Sequence, residues 1–483
     1  MAAVPQMAGA AVDGPLAATK QPAAEAWDGS TVAGCHTDAQ EALSTAAGDS
    51  PGQQVAPLCP VAVPLHGVVQ HYAWGKPPES SLVALMASEQ HVRSRRGAMR
   101  QHPLSRGNRF AELWMGTHPN GPSSVEVPAA GEDEDDHREQ YLLDTIQSDP
   151  AYWLGEEDAD RGDLPYLFKV LSVRQALSIQ AHPNKKLAEQ LHESMPQHYA
   201  DPNHKPEIAI PLGSFEALCG FRPLADVRRH VRAVPELLAL CGDPEQQDLR
   251  QLYSKLMRSE QSKVAEQVMA LTARLAEKSE GDRTPEEELV LRVVKDYPGD
   301  VGLFSIYFLN YVRLNGEGEG WLNAPRQFIY CAPDEPHAYL SGECVECMAI
   351  SDNVVRAGLT PKFKDVDTLL GMMTYRDDLL DVLVGQGDRV SPGVVKYDPP
   401  VPDFMVYEID GPVPEGLALP HASIVTCIRG SFEVDFRHSG DALFSDAAGP
   451  QTMSMGHTQF CRAGTELVAL AAGEGARMFV ATY

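Results

Sequence analysis

The chain has 483 residues, 43% of them hydrophobic, which is enough for several packed cores in two or three domains. It carries 40 Lys and Arg against 67 Asp and Glu, a formal net charge of −27, and that balance argues against nucleic acid or an anionic membrane surface as a partner. No apolar run approaches the roughly 18 residues that span a bilayer, and neither a secretory signal nor an Arg-rich transit peptide opens the chain, so a cytoplasmic protein with reduced thiols is expected.

Residues 1–58 are rich in Ala, Gly, Pro, Ser and Asp without a sustained period and read as a disordered extension. Order is expected from near Val61. Val68 to Lys76 has apolar and aromatic content that meets a breaker at Gly75, as a strand entering a loop would. Arg93, Arg95, Arg96, Arg100, Arg106 and Arg109 form a basic segment, and Glu132 to Asp136 an acidic one; both read as solvated surface loops. From about 224 to 300 the period becomes helical. Leu249, Leu252 and Leu256, then Val264, Val268, Leu271 and Leu275, recur every three or four residues, and Thr284-Pro285-Glu286-Glu287 has the form of a capping box. Strand-like segments resume at Phe304 and continue to about Met348. Short apolar runs separated by turn signals fill 379–483, as in a β-sandwich or barrel. The expected fold is mainly β with a helical insertion: 59–223 and 301–378 form one domain, 224–300 a helical domain, and 379–483 a second β domain.

Three stretches offer ligands for a divalent metal: Ser178 to His182, Asn203 to Glu207, and Glu335 to Tyr339. The first alternates Ser178, Gln180 and His182 with Leu177, Ile179 and Ala181, so on a strand the polar groups share one face. An amide, a carboxylate and imidazoles suit a catalytic zinc better than a structural one, which leans on thiolates. Taken singly, each has an ordinary reading: His182 as a hydrogen-bonded structural residue, Glu207 as a strand-start carboxylate, Lys205 as a surface lysine. Ser351 to Lys362 places Asp352, Arg356 and Lys362 in one loop-like segment, either a self-paired turn or a clamp for phosphate or an enediolate. Cys344 and Cys347 form a lone CxxC without a second pair and read as buried reduced cysteines.

The chain resembles the type I mannose-6-phosphate isomerases (phosphomannose isomerases). The resemblance rests on Tyr72 to Lys76, Ala111 to Pro119, Leu177 to Lys185, Asn203 to Glu207, Phe215 to Pro223, Glu335 to Gly342 and Ser351 to Phe363, in the family's order. It covers most of 66–375, is weaker beyond 379, and leaves out 1–58. It implies a cupin-type jelly-roll β-sandwich, a helical insertion and a C-terminal cupin-like domain. It further implies one zinc per chain, held by Gln180, His182, Glu207 and His337, and interconversion of mannose 6-phosphate and fructose 6-phosphate through a cis-enediol. Arg356 matches the family's catalytic arginine. Trp74, Ser178, Lys205, Tyr339, Glu346, Asp352 and Lys362 match positions lining its pocket, with Lys205, Asp352 and Glu346 all open as the base. A monomer acting on a small sugar phosphate, away from nucleic acid and membrane, is expected, with a role in supplying GDP-mannose. The sequence departs from the pattern at His71, where the family usually has Asn, and in extra residues from Glu317 to Gln327. The competing expectations are a non-catalytic cupin-type protein that binds metal or sugar phosphate, and a metal-dependent oxygenase on the same fold.

Overall fold

A computed structural model describes residues 60–93, 108–128, 137–314, 326–438 and 449–483. The expected N-terminal extension, most of the arginine-rich segment, the acidic run and residues 317–325 of the proposed insertion lie outside these.

Antiparallel strands dominate. A ten-stranded sheet is built around Glu207–Phe221 and His337–Ala349, which pair along most of their length. His337–Ala349 pairs on its other side with Tyr166–Val173, in register from Gly342 opposite Val173 to Ala349 opposite Tyr166. Tyr166–Val173 is buried at every position, which explains its near-continuous run of aromatic and aliphatic residues. The long strands bend at Gly342, whose φ is +115° and where the register shifts. A Cβ there would lie 2.4 Å from the Ser214 carbonyl oxygen, so only glycine fits the bulge.

Among the described residues, two further sheets, of nine and four strands, complete the β part. Strand pairing crosses the expected boundary at residue 379 in both directions. The first described strand, Ala62–His66, pairs with Thr458–Cys461 and with Ser124–Pro128. Val384–Gln386 pairs back onto Gln327–Cys331. Periodicity identifies strands but not distant partners, so these pairings had no signature in the sequence.

The helical periods form helices. Leu249, Leu252 and Leu256 lie on Leu249–Met257, while Val264, Val268, Leu271 and Leu275 lie on Gln261–Glu277; all are buried in one core. Thr284 caps Pro285–Val293 through a reciprocal capping box with Glu287. One local expectation fails. Phe304 belongs to the short helix Gly302–Ser305, and the strand begins only at Leu309. The Asp300 side chain accepts from the Gly302 N–H at 2.7 Å, a local side-chain–backbone bond that competes with strand geometry at the start of the apolar run. Among the described residues no helix is long and apolar enough to cross a membrane.

Candidate active site and metal centre

The candidate ligands converge at one end of the ten-stranded sheet. Gln180 lies on Ile179–Ala181, directly opposite His337, and His182 follows that strand. Glu207 opens Glu207–Phe221 and pairs with Met348 and Cys331. The loops carrying the two histidines are tied together: the Asp334 N–H donates to the His182 carbonyl at 2.7 Å, and the Asn184 side chain donates to the Asp334 carboxylate at 2.6 Å. The expected alternation holds at Ile179 and Ala181, which are fully buried, and at Ser178, whose hydroxyl lies 3.2 Å from Gln180 Oε1. Leu177 instead lines the cavity, because the strand starts only at Ile179.

His182, Glu207 and His337 offer ligand atoms within 4.8 Å of one another, and all three are buried. His182 Nε2 is 3.5 Å from one Glu207 oxygen and His337 Nε2 is 3.5 Å from the other. His182 Nδ1 lies 2.6 Å from the Asn353 carbonyl and His337 Nδ1 lies 3.2 Å from the Glu335 carbonyl. A carbonyl only accepts, so each Nδ1 carries the proton and each Nε2 presents a lone pair to a carboxylate. Neither Nε2 has a hydrogen-bond partner among the described residues. Lone pairs aimed at a carboxylate in a buried site repel unless a cation lies among them, so these residues fit a metal. Asn353 is itself fixed, its side-chain amide donating to the Asp201 carbonyl at 2.6 Å and the Asn203 carbonyl at 2.9 Å, the kind of outer support that orients a ligating imidazole.

Without a metal, the electrostatics match this reading at Glu207 and His182 and run against it at His337. Burial alone would raise the Glu207 carboxyl, but His182 and Lys205 outweigh it and hold it well below the usual range. Burial pushes the His182 imidazole down to about 4, in favour of the neutral, ligating form. At His337 the same burial penalty is outweighed by Cys331 and Glu207, which pull it up.

Above the ligands lies a cavity of about 800 Å³. Trp74, Ser178, Gln180, Lys205, Glu207, Tyr339, Glu346, Asp352, Arg356 and Lys362 all line it, whereas His182 and His337 sit behind its wall. Lys205 Nζ is 3.3 Å from Glu207. Arg356 pairs in register with Gln180. Neither Arg356 nor the Lys362 side chain makes an ion pair among the described residues. Arg356 is pulled below its ordinary pKa by burial alone, so its charge faces the cavity without an acidic neighbour. Asp352 accepts from Asn120 at 2.8 Å and lies 3.4 Å from His118 Nε2, which holds its carboxyl below the usual range. His71, the departure from the family pattern, turns its Nδ1 to the Arg109 carbonyl at 2.7 Å.

The sequence reading missed the floor of the cavity. Lys169 is 5% exposed and lies 2.9 Å from Glu346 and 3.6 Å from Glu112, over the Trp114 ring. Trp114 Nε1 donates to the same Glu112 carboxylate. Burial works against the Lys169 charge, but Glu346, Glu112 and Glu207 outweigh it and raise its pKa. A lone lysine inside the apolar strand Tyr166–Val173 was the available signal, since buried lysines are almost always paired. Cys344 and Cys347 are free and buried, and three residues apart on one strand they face opposite sides.

Comparison with known proteins decides the family. Residues 62–224 match the model described as phosphomannose isomerase type I, catalytic domain, and residues 229–309 match its helical insertion domain. Mannose-6-phosphate isomerase of Bos taurus is 42% identical over 398 residues, covering 76% of this chain and 87% of that protein. The Homo sapiens protein of the same name is 41% identical over 402 residues, covering 77% and 88%. The chain belongs to the type I phosphomannose isomerase family. A mutant phosphomannose isomerase from Salmonella typhimurium superposes with a TM-score of 0.70 at 28% identity, covering 87% of this chain and 99% of that one. A zinc-bound mannose 6-phosphate isomerase gives 0.68 at 28% identity, with the same coverage. The phosphomannose isomerase fold, a sheet-rich cupin-like architecture with a helical insertion, is therefore the fold of this chain.

Proposed function

We propose that this chain is a zinc-dependent aldose–ketose isomerase that interconverts mannose 6-phosphate and fructose 6-phosphate. The observation that carries the reading is one cavity with a carboxylate and an amide of the candidate metal site on its wall and two cations, Arg356 and Lys362, without acidic partners among the described residues, in a chain of net charge −27. Such a cavity concentrates an anionic, oxygen-rich substrate against the overall field. Gln180, His182, Glu207 and His337 would hold the zinc, which supplies Lewis-acid polarisation of the sugar oxygens.

The reaction moves a proton between C1 and C2 of the open-chain sugar. The carbon acid is weak, so the charge developing on oxygen must meet fixed positive groups. Arg356 takes that role. Lys362, Lys205 and Ser178 bind phosphate and hydroxyl oxygens, while Trp74 and Tyr339 close the apolar side. Among the candidate bases, Asp352 is tied to Asn120 and held low beside His118, and Lys205 is paired with Glu207. Glu346 commits one oxygen to Lys169, and burial raises its carboxyl. A raised carboxylate on the cavity wall suits proton transfer near neutral pH, so Glu346 is assigned as the base, with Asp352 orienting the substrate. The base acts only when ionised, so turnover falls as pH drops through a midpoint above the ordinary 4.5 of Glu. Glu346→Gln is expected to lose at least about 100-fold in kcat; a variant that keeps the rate and the acidic limb would exclude the assignment.

Fructose 6-phosphate formed from mannose 6-phosphate, abolished by a chelator and restored by added zinc, is the expected result for the native protein. The binding-protein alternative gives sugar-phosphate binding without turnover in the same assay. In a cell, a cytoplasmic monomer feeding GDP-mannose synthesis completes the reading.

A further inference from the structure

Asp300 is an acid on the cavity wall whose placement is not explained by the chemistry above. It lines the cavity where the helical segment returns to the sheet, and a free carboxylate there would repel a phosphate. Its oxygens are committed to the chain instead. Oδ1 accepts from the N–H of Leu359 and of Gly302, each at 2.7 Å, and Oδ2 faces the Thr360 N–H at 3.5 Å and Lys364 Nζ at 3.7 Å.

The residue it holds is unusual. Leu359 has a φ of +52°, a left-handed conformation that a branched side chain rarely adopts. Its side chain is 1% exposed in the helical core, so the turn is pinned by packing on one side and by Asp300 on the other. The contact is tight, since a Cβ on Gly358 would fall 2.6 Å from Gly302 Cα. This turn joins Arg356 to Lys362. Among the described residues, the strand that carries Arg356, Val355–Gly358, pairs only with the short Ile179–Ala181, and its register shifts between Arg356 and Gly358. Sheet pairing therefore fixes one side of the arginine's backbone, and Asp300 fixes the end of the strand.

We infer that Asp300 is a positioning residue for Arg356, acting through the left-handed turn at Leu359; this rests on the isomerase reading of Arg356. The acceptor oxygen, rather than the charge, carries the effect. Asn at 300 keeps an oxygen for the Leu359 and Gly302 N–H groups, while Glu keeps the charge but shifts the acceptor by a methylene.

The test uses the full-length zinc-loaded protein. Wild-type turnover of mannose 6-phosphate is measured first, and its absence would sink the isomerase reading itself. With turnover present, Asp300→Asn is expected within about 3-fold of wild type. Asp300→Glu and Asp300→Ala should lose about 100-fold in kcat, the scale of an ångström-level misplacement, with zinc content unchanged. In the Arg356→Ala background, Asp300→Ala should cost less than about 3-fold more, because both changes remove the same contribution. Additive losses in that cycle, an active Asp300→Glu beside an impaired Asp300→Asn, or wild-type rates in all three variants would overturn the inference. If Asp300→Ala does not fold, the cycle is built with Asp300→Glu and keeps the same outcomes.

Discussion

Arg356→Ala is expected to lower kcat about 100- to 1000-fold while zinc content stays at wild type. Removing one preorganised charge aimed at a developing oxyanion typically costs that much. The arginine pairs with Gln180 only through backbone register and has no acidic partner among the described residues, so its removal strands no buried counter-charge and leaves the fold and the metal ligands in place. Lysine at the same position restores charge but not the planar fork, and should recover only part of the loss. Turnover within about 3-fold of wild type in Arg356→Ala, at normal zinc content, would remove the arginine from the mechanism.

Glu207→Gln carries the second large effect. The carboxylate lies within 3.5 Å of both imidazoles and of Lys205. Its neutral isostere keeps the shape but removes the only negative ligand, and leaves Lys205 without its partner. Outer-shell changes alone cost metal sites about 10- to 100-fold in affinity, so loss of this ligand should exceed that and take turnover with it. Elemental analysis after dialysis against a weak chelator reads the metal directly. A variant that retains one zinc per chain under those conditions would mean that the imidazoles and Gln180 suffice, and that the arrangement around Glu207 serves another purpose.

The parts of this site legible in the sequence were those with local signatures. Gln180 and His182 share a short alternating stretch, Glu207 follows Lys205 in one motif, and Arg356 and Lys362 share one short stretch of sequence. The helices were legible because apolar spacing and the Thr284 cap are local too. What escaped depended on pairing across the chain. Lys169 became interpretable only when strand register set it opposite Glu346 and beside Trp114. Asp300 has no local signature, because the group that defines it, the Leu359 N–H on its carboxylate, lies far along the chain. Phe304 shows the reverse: an apolar run with strand composition forms a helical turn beside a carboxylate that accepts from the Gly302 N–H.

The seating of Ala62–His66 between Ser124–Pro128 and Thr458–Cys461 bears on how the protein is made. Val63 and Phe460 are about 400 residues apart, and at roughly 5–20 residues per second a ribosome needs tens of seconds to supply the partner. Through that interval the strand Ala62–His66 keeps one edge unpaired, although the catalytic strands up to His337–Ala349 are already synthesised. Nascent chains stalled before residue 458 should therefore be the species most prone to associate through that edge and most dependent on a chaperone.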